Sequence, residues 1–166
     1  MNDRPTLSPP QPSLKSFGPV SDAMGIRLVE WELDGAVVEL DVDEHHMNGA
    51  GVFHGGCMST LLDTALAHAA IYCTVPGNYR SGATVTLTVN FIAPVLVGSR
   101  VTARSRKTGG GRTMFMSVVE AVDESGRIVA SGQAVGRYRD GSHKPEGMKR
   151  PDGVPEGRSP QRFQSD

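Results

Sequence analysis

Aromatic residues, cysteines and long hydrophobic runs are all scarce in this sequence. Aromatics form 5% of the 166 residues, so the hydrophobic share of 38% predicts one domain with a modest aliphatic core. No apolar run approaches the roughly 18 to 20 residues of a membrane span, and the first twenty residues lack the hydrophobic segment of a secretory signal. We therefore expect a cytoplasmic protein without a membrane partner.

An excess of charge is also missing, because 17 basic side chains stand against 18 acidic ones. This balance gives no reason to expect nucleic acid as a partner. The two cysteines, Cys57 and Cys73, fall in one predicted helix, where sixteen residues separate them by roughly 24 Å. Since the Cα atoms of a disulfide lie within about 7 Å, we expect two buried free thiols.

Both ends of the chain are rich in proline, glycine and polar residues and have no apolar period. Such segments cannot bury enough surface to fold, which predicts disorder over 1–20 and 140–166. The region between them, 21–139, is the expected domain. Its predicted strands cover 27–33, 36–42, the stretch 83–94, 99–108, 112–123 and 127–138.

The order of these strands predicts their pairing. Asp34-Gly35 between the first two is a turn signal that indicates a β-hairpin. Short glycine-containing turns join the last three, which is typical of an antiparallel meander. In "ATVTLTVNFIAP" apolar residues alternate strictly with threonine and asparagine, which predicts a strand with one buried face.

One long helix interrupts the strands. Small and aliphatic residues from Cys57 to Cys73 recur at the three- and four-residue spacing of a single helical face. The second face contains Gly56, Thr60 and Ala67, which are small, and one acid, Asp63. A helix with almost no long solvated side predicts a central position, wrapped by the sheet, with its small face close to another surface.

The turn before this helix, "NGAGVFHGG", ends where the first helical N–H groups lack partners. Gly55 has no side chain, so a substrate oxygen could approach its N–H, as an oxyanion hole requires. The glycines could instead serve only a tight turn. Because no Gly-Lys-Ser/Thr follows, neither a phosphate-binding loop nor a dinucleotide fingerprint is supported, and we expect no cofactor.

Asp63 follows Gly55 by eight residues, about 12 Å along one helix. The two groups are too far apart to act on one carbonyl within a chain. A two-fold dimer with antiparallel central helices would bring them together at two equivalent sites. Alternatively, Asp63 is a buried carboxylate that caps a loop or pairs with an arginine.

Several separated motifs now agree with one family. Asn48, His54-Gly55-Gly56, Leu62-Asp63-Thr64-Ala65 and "TVTLTVNFIAPV" resemble, in this order, the hotdog-fold acyl-CoA thioesterases of the phenylacetate-degradation (PaaI-like) type. The resemblance covers about residues 22 to 139. It implies an α+β hotdog fold, an antiparallel sheet wrapped around one long helix, with dimers that share a continuous sheet and pair into tetramers.

The resemblance also implies roles for single residues. The Gly55 N–H would polarise a thioester carbonyl, and Asp63 would act as general base or as nucleophile. Asn48 matches an asparagine near the carbonyl, although an Asn before Gly49 also favours a turn. Thr84 falls where relatives hold the attacking water with a hydroxyl. His54 is also a catalytic candidate, although in the family pattern this histidine is mostly a structural residue of the turn.

The sequence also contains glycines and cationic side chains that are candidate substrate contacts. Coenzyme A carries phosphates, which predicts a basic cluster near the cleft. The substrate-binding candidates are Gly56, Arg100, Arg104, Arg106, Lys107, Gly110 and Arg112. A solvated strand face that discourages edge aggregation explains any single one of these cations equally well. A metal site with His45, His46 and His54 is not supported, because adjacent histidines diverge and no ligand spacing completes it.

Function follows from these expectations. They predict hydrolysis of a small aryl or medium-chain acyl-CoA to free acid and coenzyme A, without settling the acyl group. The same fold also serves acyl-thioester hydratases and dehydratases, and the His-Phe-Pro-Gly type of signature of acyl-carrier-protein dehydratases is absent from this chain. A non-catalytic acyl-CoA-binding protein is the third possibility, because a fold does not fix a function.

Overall fold

The structure, a computed structural model, describes residues 18–139 and 141–152. In chain order its helices and strands are α1 (Pro19–Ala23), β1 (Arg27–Glu32), β2 (Gly35–Asp41), α2 (Gly55–Ile71), β3 (Asn78–Tyr79), β4 (Gly82–Phe91), β5 (Arg100–Gly110), β6 (Met114–Val122), β7 (Ile128–Tyr138) and β8 (Met148–Lys149). None of the described helices is long and apolar enough to cross a membrane.

Six strands form one antiparallel sheet in the order β1-β2-β5-β6-β7-β4. The predicted hairpin and meander are confirmed. The hairpin turn lies one residue earlier than predicted, because Glu32 pairs with Gly35 and leaves Leu33 and Asp34 as the turn. Asp34 takes the left-handed conformation, with φ 64°, which an aspartate tolerates better than most residues.

Helix α2 lies at the centre, as predicted, with the sheet wrapped around it. Leu61, Leu62, Ala65, Leu66 and Ala69 are fully buried against inward-facing residues of the sheet. The predicted apolar face is therefore the core face. The arrangement confirms the α+β hotdog architecture, in which one antiparallel sheet encloses one long helix.

The cysteine predictions are correct only in part. Both thiols are free, but α2 ends at Ile71, so Cys73 lies beyond the helix. Cys73 is buried and Cys57 only partly so. Burial nevertheless raises the pKa of the Cys57 thiol.

Strand β4 corrects the prediction of a buried face. It is the last strand of the sheet, and Val85, Leu87 and Phe91 are 56%, 36% and 61% exposed. None of the elements in the described part of the chain covers this edge. A bulge between Thr84 and Thr86 also interrupts the alternation, and of the apolar set Val89 alone packs on the core.

The predicted disordered ends were too long. Residues 1–17, 140 and 153–166 lie outside the described residues, but Pro19 and Val20 belong to α1 and residues 141–152 pack on the domain. Strand β8 pairs with β3, and Ser142 is fully buried. Hydrogen bonds to a distant loop hold this segment, and composition alone does not reveal such contacts.

Candidate functional site

The turn that leads into α2 is held by Asn48. Its side-chain oxygen accepts hydrogen bonds from the N–H groups of Ala50, at 2.9 Å, and Val52, at 3.3 Å. These bonds fit the alternative interpretation of Asn48 as a turn-forming residue. They engage the oxygen and leave the side-chain NH₂ as the group available to a substrate.

His54 caps the start of α2. Its Nδ1 accepts a hydrogen bond from the Gly56 N–H at 2.8 Å, so this nitrogen is unprotonated and its lone pair is engaged. The Gly56 N–H is likewise engaged. The Gly55 N–H, one residue earlier, has no hydrogen-bond acceptor among residues 18–139 and 141–152.

A pocket of about 360 Å³ opens beside Gly55. Apart from Asn48 and Gly55 its lining is apolar, and it comprises Val52, Phe53, Met58, Phe91, Ile92, Ala93, Pro94, Val95 and Val129. The ring of Phe91 lies 3.3 Å from the position that a Cβ on Gly55 would occupy. The pocket therefore joins one open N–H group to an apolar wall, a combination that suits a polar carbonyl on an apolar chain.

Asp63 and Thr84 meet within one chain. The Thr84 hydroxyl on β4 donates to Asp63 Oδ1 on α2 at 2.6 Å. This bond is short and charge-assisted, so it orients the carboxylate. Asp63 has no arginine partner among the described residues, and it is partly exposed, so the alternative of a buried salt-bridged acid is not supported.

Gly55 and Asp63 do not meet within the chain. Both lie in the same straight element, α2, so eight residues of rise separate them by about 12 Å. Gly55 opens toward the far end of β4, at Phe91, whereas Asp63 contacts its near end, at Thr84. The two candidate groups are thus at opposite ends of one strand.

Three of the predicted phosphate-binding cations are in ion pairs. Arg100 binds Asp41, with 2.6 Å between Nε and Oδ1, and this contact lowers the pKa of Asp41 and raises that of Arg100. Arg104 lies 3.5 Å from Glu30, and the Lys107 ammonium 3.1 Å from Asp34. These pairs fit the alternative of a solvated sheet surface.

The remaining candidates are spread over the sheet. Arg104 and Arg106 line a polar depression of about 700 Å³. They lie on the face away from α2, because Ser105 between them is buried and its hydroxyl donates to the Ala65 carbonyl of α2. Gly110 belongs to the β5–β6 ladder opposite Phe115, and Arg112 is exposed in the turn that follows. Within one chain the structure does not bring any of these cations to the Gly55 pocket.

The other histidines have structural surroundings. His46 is buried, and its Nδ1 accepts the Asp43 N–H at 3.0 Å. Burial lowers the pKa of His68, although its hydrogen bond to the Thr64 carbonyl and the nearby Asp63 act in the opposite direction. No cluster of His, Cys, Asp and Glu able to hold a metal ion occurs within the described residues.

Two residues near the site were missed by sequence reasoning. Phe91 was assigned to a buried strand face, yet it covers Gly55. Arg80 was not singled out, although it is only 7% exposed and makes three hydrogen bonds. A single arginine in a polar loop carries no pattern, so only the fold reveals it.

Comparisons with known proteins agree with this architecture. Residues 50–130 match the model of the family described as Thioesterase superfamily. The chain is 32% identical over 99 residues to the putative esterase PA0474 of Pseudomonas aeruginosa, covering 60% of this chain and 72% of that one. It is 29% identical over 108 residues to the acyl-coenzyme A thioesterase PaaI of Escherichia coli K12, covering 65% and 74%.

A solved structure shows the same fold. The E. coli PaaI protein from the phenylacetic acid degradation operon superimposes with a TM-score of 0.66 at 24% identity. The match covers 74% of this chain and 86% of that chain.

Proposed function

The chain belongs to the thioesterase superfamily and is a thioester hydrolase, and from this premise we propose that it cleaves an acyl-coenzyme A to the free acid and coenzyme A. The 2.6 Å hydrogen bond from Thr84 to Asp63 carries the proposal. It fixes a carboxylate on a partly exposed helix face, beside an edge strand that no element of residues 18–139 and 141–152 covers. The name of the E. coli relative supports acyl-coenzyme A as the substrate.

The proposed active unit is a homodimer. Strand β4 has ten residues with exposed apolar side chains and one edge that no described strand pairs with, a combination that soluble monomers normally avoid. Antiparallel pairing of β4 with β4 of a second copy would continue the sheet and cover these residues. The same two-fold axis would bring the far end of one β4, near Gly55, to the near end of the other, near Asp63 of the partner subunit. Two such dimers would pair as the homotetramer that the family resemblance implies.

The proposed reaction uses one group from each chain. The Gly55 N–H donates to the thioester oxygen as negative charge develops there. Asp63 of the partner subunit either takes a proton from a water that attacks the carbonyl carbon, or attacks that carbon itself to give a mixed anhydride, which water then hydrolyses. In both routes the C–S bond breaks and coenzyme A leaves as the thiolate.

Thr84, Asn48 and His54 have supporting roles in this proposal. The Thr84 hydroxyl donates to Asp63 Oδ1 and leaves Oδ2 for the water or the carbonyl carbon. The Asn48 NH₂ is available to orient substrate. His54, with Nδ1 engaged by Gly56, acts by fixing the helix start so that the Gly55 N–H points into the pocket.

The pocket beside Gly55 sets the proposed acyl group. Its wall is apolar and carries no cation, so an apolar acyl or pantetheine chain suits it and the phosphates of coenzyme A do not. A volume of about 360 Å³ favours a small aryl or medium-chain acyl group. Among the predicted phosphate contacts, Arg106 and Arg112 are the exposed cations for which no ion pair is found in the described chain.

The test of the acid is Asp63→Asn, assayed with phenylacetyl-, hexanoyl- and palmitoyl-coenzyme A. Loss of a general base or nucleophile lowers kcat by about 10²- to 10⁴-fold or more. The matched control is Asp22→Asn, an exposed acid of α1 that takes no part in the proposed site, which should leave kcat unchanged. Unaltered turnover by Asp63→Asn on every substrate would remove the proposed mechanism.

The test of the shared site is complementation between two inactive variants. Asp63→Asn and Gly55→Ala each disable both sites of their own dimers. A mixed dimer contains one intact site, so equal mixing with subunit exchange should restore about a quarter of wild-type activity. No recovery, with mixed dimers shown by mass spectrometry, would place both groups in one chain and contradict the proposal.

Hydratase chemistry is less well supported. It needs a histidine to move a proton, and the Nδ1 of His54 is engaged in the cap of α2. Formation of a 3-hydroxyacyl product from an enoyl-coenzyme A, without release of a free thiol, would favour that function instead. A thiol-detecting reagent distinguishes the two reactions directly.

A further inference from the structure

A segment near the C-terminus closes over the junction between α2 and β4. We call residues 141–150 the C-terminal strap. Its strand β8 pairs with β3, the Ser81 N–H donates to the Ser142 hydroxyl at 3.0 Å, and the Thr74 N–H donates to the Pro145 carbonyl at 2.9 Å. The strap is therefore fixed at several points to the loop 72–81.

The strap fits this loop closely. Gly147 has φ 65°, and a Cβ there would lie 2.7 Å from the sulfur of Cys73. That sulfur is 3.2 Å from the Glu146 carbonyl, to which the Asn78 side chain also donates at 2.8 Å. A contact without room for a methyl group is typical of a packed interior and not of a loosely attached tail.

Arg80 is the centre of this contact. Its buried guanidinium donates to the Tyr72 carbonyl at 2.7 Å, to the Ser142 carbonyl at 2.8 Å and to the His143 carbonyl at 3.3 Å. Its carbon lies 5.2 Å from the centre of the Tyr138 ring. A buried charge without hydrogen-bond partners is costly, so the guanidinium of Arg80 favours the arrangement in which all three carbonyls accept from it.

The hydrogen bonds of Arg80 join the end of α2, the helix that carries Asp63, to the segment that leads into β4, the strand that carries Thr84. Tyr72 caps the C-terminal end of α2, nine positions after Asp63, and a cation there also suits the negative end of the helix dipole. Arg80 itself lies four positions before Thr84 on the way into β4. The short loop between these points leaves little freedom for β4 to slide along α2 while Arg80 is bound.

We propose that Arg80 is a positioning residue for catalysis, which uses the C-terminal strap to lock the α2–β4 junction and so keeps the Thr84 hydroxyl against Asp63. The inference rests on the proposed function of Asp63. It assigns the strap a role in turnover, with no contact to substrate. Loss of the lock lets the Thr84–Asp63 distance vary, so fewer enzyme molecules hold the carboxylate in its productive orientation.

The first experiment compares Arg80→Lys with the wild type. Lysine keeps the charge but does not present the planar, three-directional donors of arginine, so kcat should fall about 10-fold while KM stays unchanged. The control is Trp31→Phe, which removes another hydrogen bond to a carbonyl near the end of α2, from Nε1 to His68 at 2.9 Å, on the β1 side. It should lower thermal stability and leave kcat unchanged.

The second experiment is a double-mutant cycle with Thr84→Val. If Arg80 acts through the Thr84–Asp63 bond, Arg80→Lys should change kcat by less than about 2-fold in the Thr84→Val background. Ser142→Ala, which removes the acceptor of the Ser81 N–H, should follow the same pattern with a smaller effect. It replaces Arg80→Lys in the cycle if the lysine variant does not fold.

The outcomes separate the two proposals. An active Asp63→Asn enzyme contradicts the proposed function. An inactive Asp63→Asn enzyme, together with Arg80→Lys and Ser142→Ala variants whose kcat is unchanged or whose effects multiply with that of Thr84→Val, overturns the positioning role alone. A fall in stability that equals that of Trp31→Phe, without any change in kcat, does the same.

Discussion

The two edges of the sheet differ in how they meet solvent. Strand β1, "RLVEWE", has three charged residues among six and a bulge between Leu28 and Glu30. Strand β4, "GATVTLTVNF", has no charged residue among ten and exposes valine, leucine and phenylalanine. Charges and bulges protect an edge from pairing with another chain, so β1 is a protected edge and β4 an edge suited to a partner.

The same difference extends to chemistry. The β4 side carries the Asp63–Thr84 bond at one end and Phe91 over Gly55 at the other. The β1 side carries Trp31, which donates to the His68 carbonyl and contacts the rings of His68 and Tyr72 at 5.7 and 5.5 Å. One side of the helix thus holds the candidate catalytic groups at the open edge, and the other holds a structural cluster.

The largest effect is expected when β4 is given a charge like those that keep β1 from pairing with another chain. Leu87→Lys places a charge on the edge strand, where pairing of a second copy would bury or repel it. Dimers should be lost and hydrolysis should fall at least about 100-fold, because each proposed site needs two chains. Light scattering after size exclusion and a thiol-release assay measure the two effects.

The matched control for that variant is Val29→Lys on β1. Val29 is 50% exposed at the protected edge, so we expect an unchanged assembly, unchanged turnover and a stability change within about 0.5 kcal/mol. A monomeric Leu87→Lys protein with full activity would contradict the role of the β4 edge.

A second prediction concerns the hydroxyl that β4 supplies. Thr84→Val keeps the shape of the side chain but removes the donor to Asp63. A hydrogen bond to a charged group contributes about 1.5 to 3 kcal/mol, so kcat should fall about 10- to 100-fold. Thr84→Ser restores a hydroxyl and should recover most of the loss, and equal kcat values for the valine and serine variants would exclude a role for the bond.

A third prediction concerns the other end of β4. Phe91→Ala removes the ring from the wall beside Gly55, and loss of that apolar surface should raise the KM for an aryl or hexanoyl substrate about 10-fold. Acetyl-coenzyme A, which has little acyl surface, should be affected less. Met116→Ala shortens a comparably exposed apolar residue on β6 and should leave both KM values unchanged.

The smallest expected effect lies on the β1 side and appears as pH-dependent stability. Because burial lowers the pKa of His68, the unfolded chain takes up a proton below about pH 6.5 that the folded chain takes up only at a lower pH. Stability should therefore fall as the pH falls below that value, by at most about 1.4 kcal/mol per pH unit from this group.

Urea unfolding of His68→Gln measures this contribution. Between pH 6.5 and 5 the free energy of unfolding of the variant should fall less steeply than that of the wild type, because the contribution of His68 is missing. Above pH 7 the two pH profiles should differ little. An identical acid slope for the two proteins would assign the decline to other groups. The exposed His45 provides the control substitution, His45→Gln.

The periodicity of the hydrophobic residues and the identity of the turn residues were enough to predict the hairpin, the meander and the central helix. These features arise from local spacing, as in the apolar stripe from Met58 to Ala69 or the Asp34-Gly35 signal. The exposed β4 and the ordered residues 141–152 escaped prediction because both depend on what lies next to them in space. An alternating strand has the same pattern whether its partner is another element or another chain.

The candidate site divides in the same way. Asp63 and Gly55 are recognisable because an acid on an apolar helix and a glycine at a helix start are unusual for their surroundings. The contact of Thr84 with Asp63 and the cover of Gly55 by Phe91 depend on the register of β4 against α2, which no local pattern records. Charge alone marks the phosphate candidates in the sequence, and three of them are paired with acids of the β1–β2 hairpin.

The bare β4 edge has a consequence for the kinetic order of the enzyme. If each reaction centre is assembled from two polypeptides, the rate at high dilution grows with the square of the protein concentration, and it becomes proportional to concentration only once association is complete. A newly translated monomer would then be inactive until it formed a dimer. Specific activity measured at nanomolar enzyme would be lower than the value at micromolar enzyme.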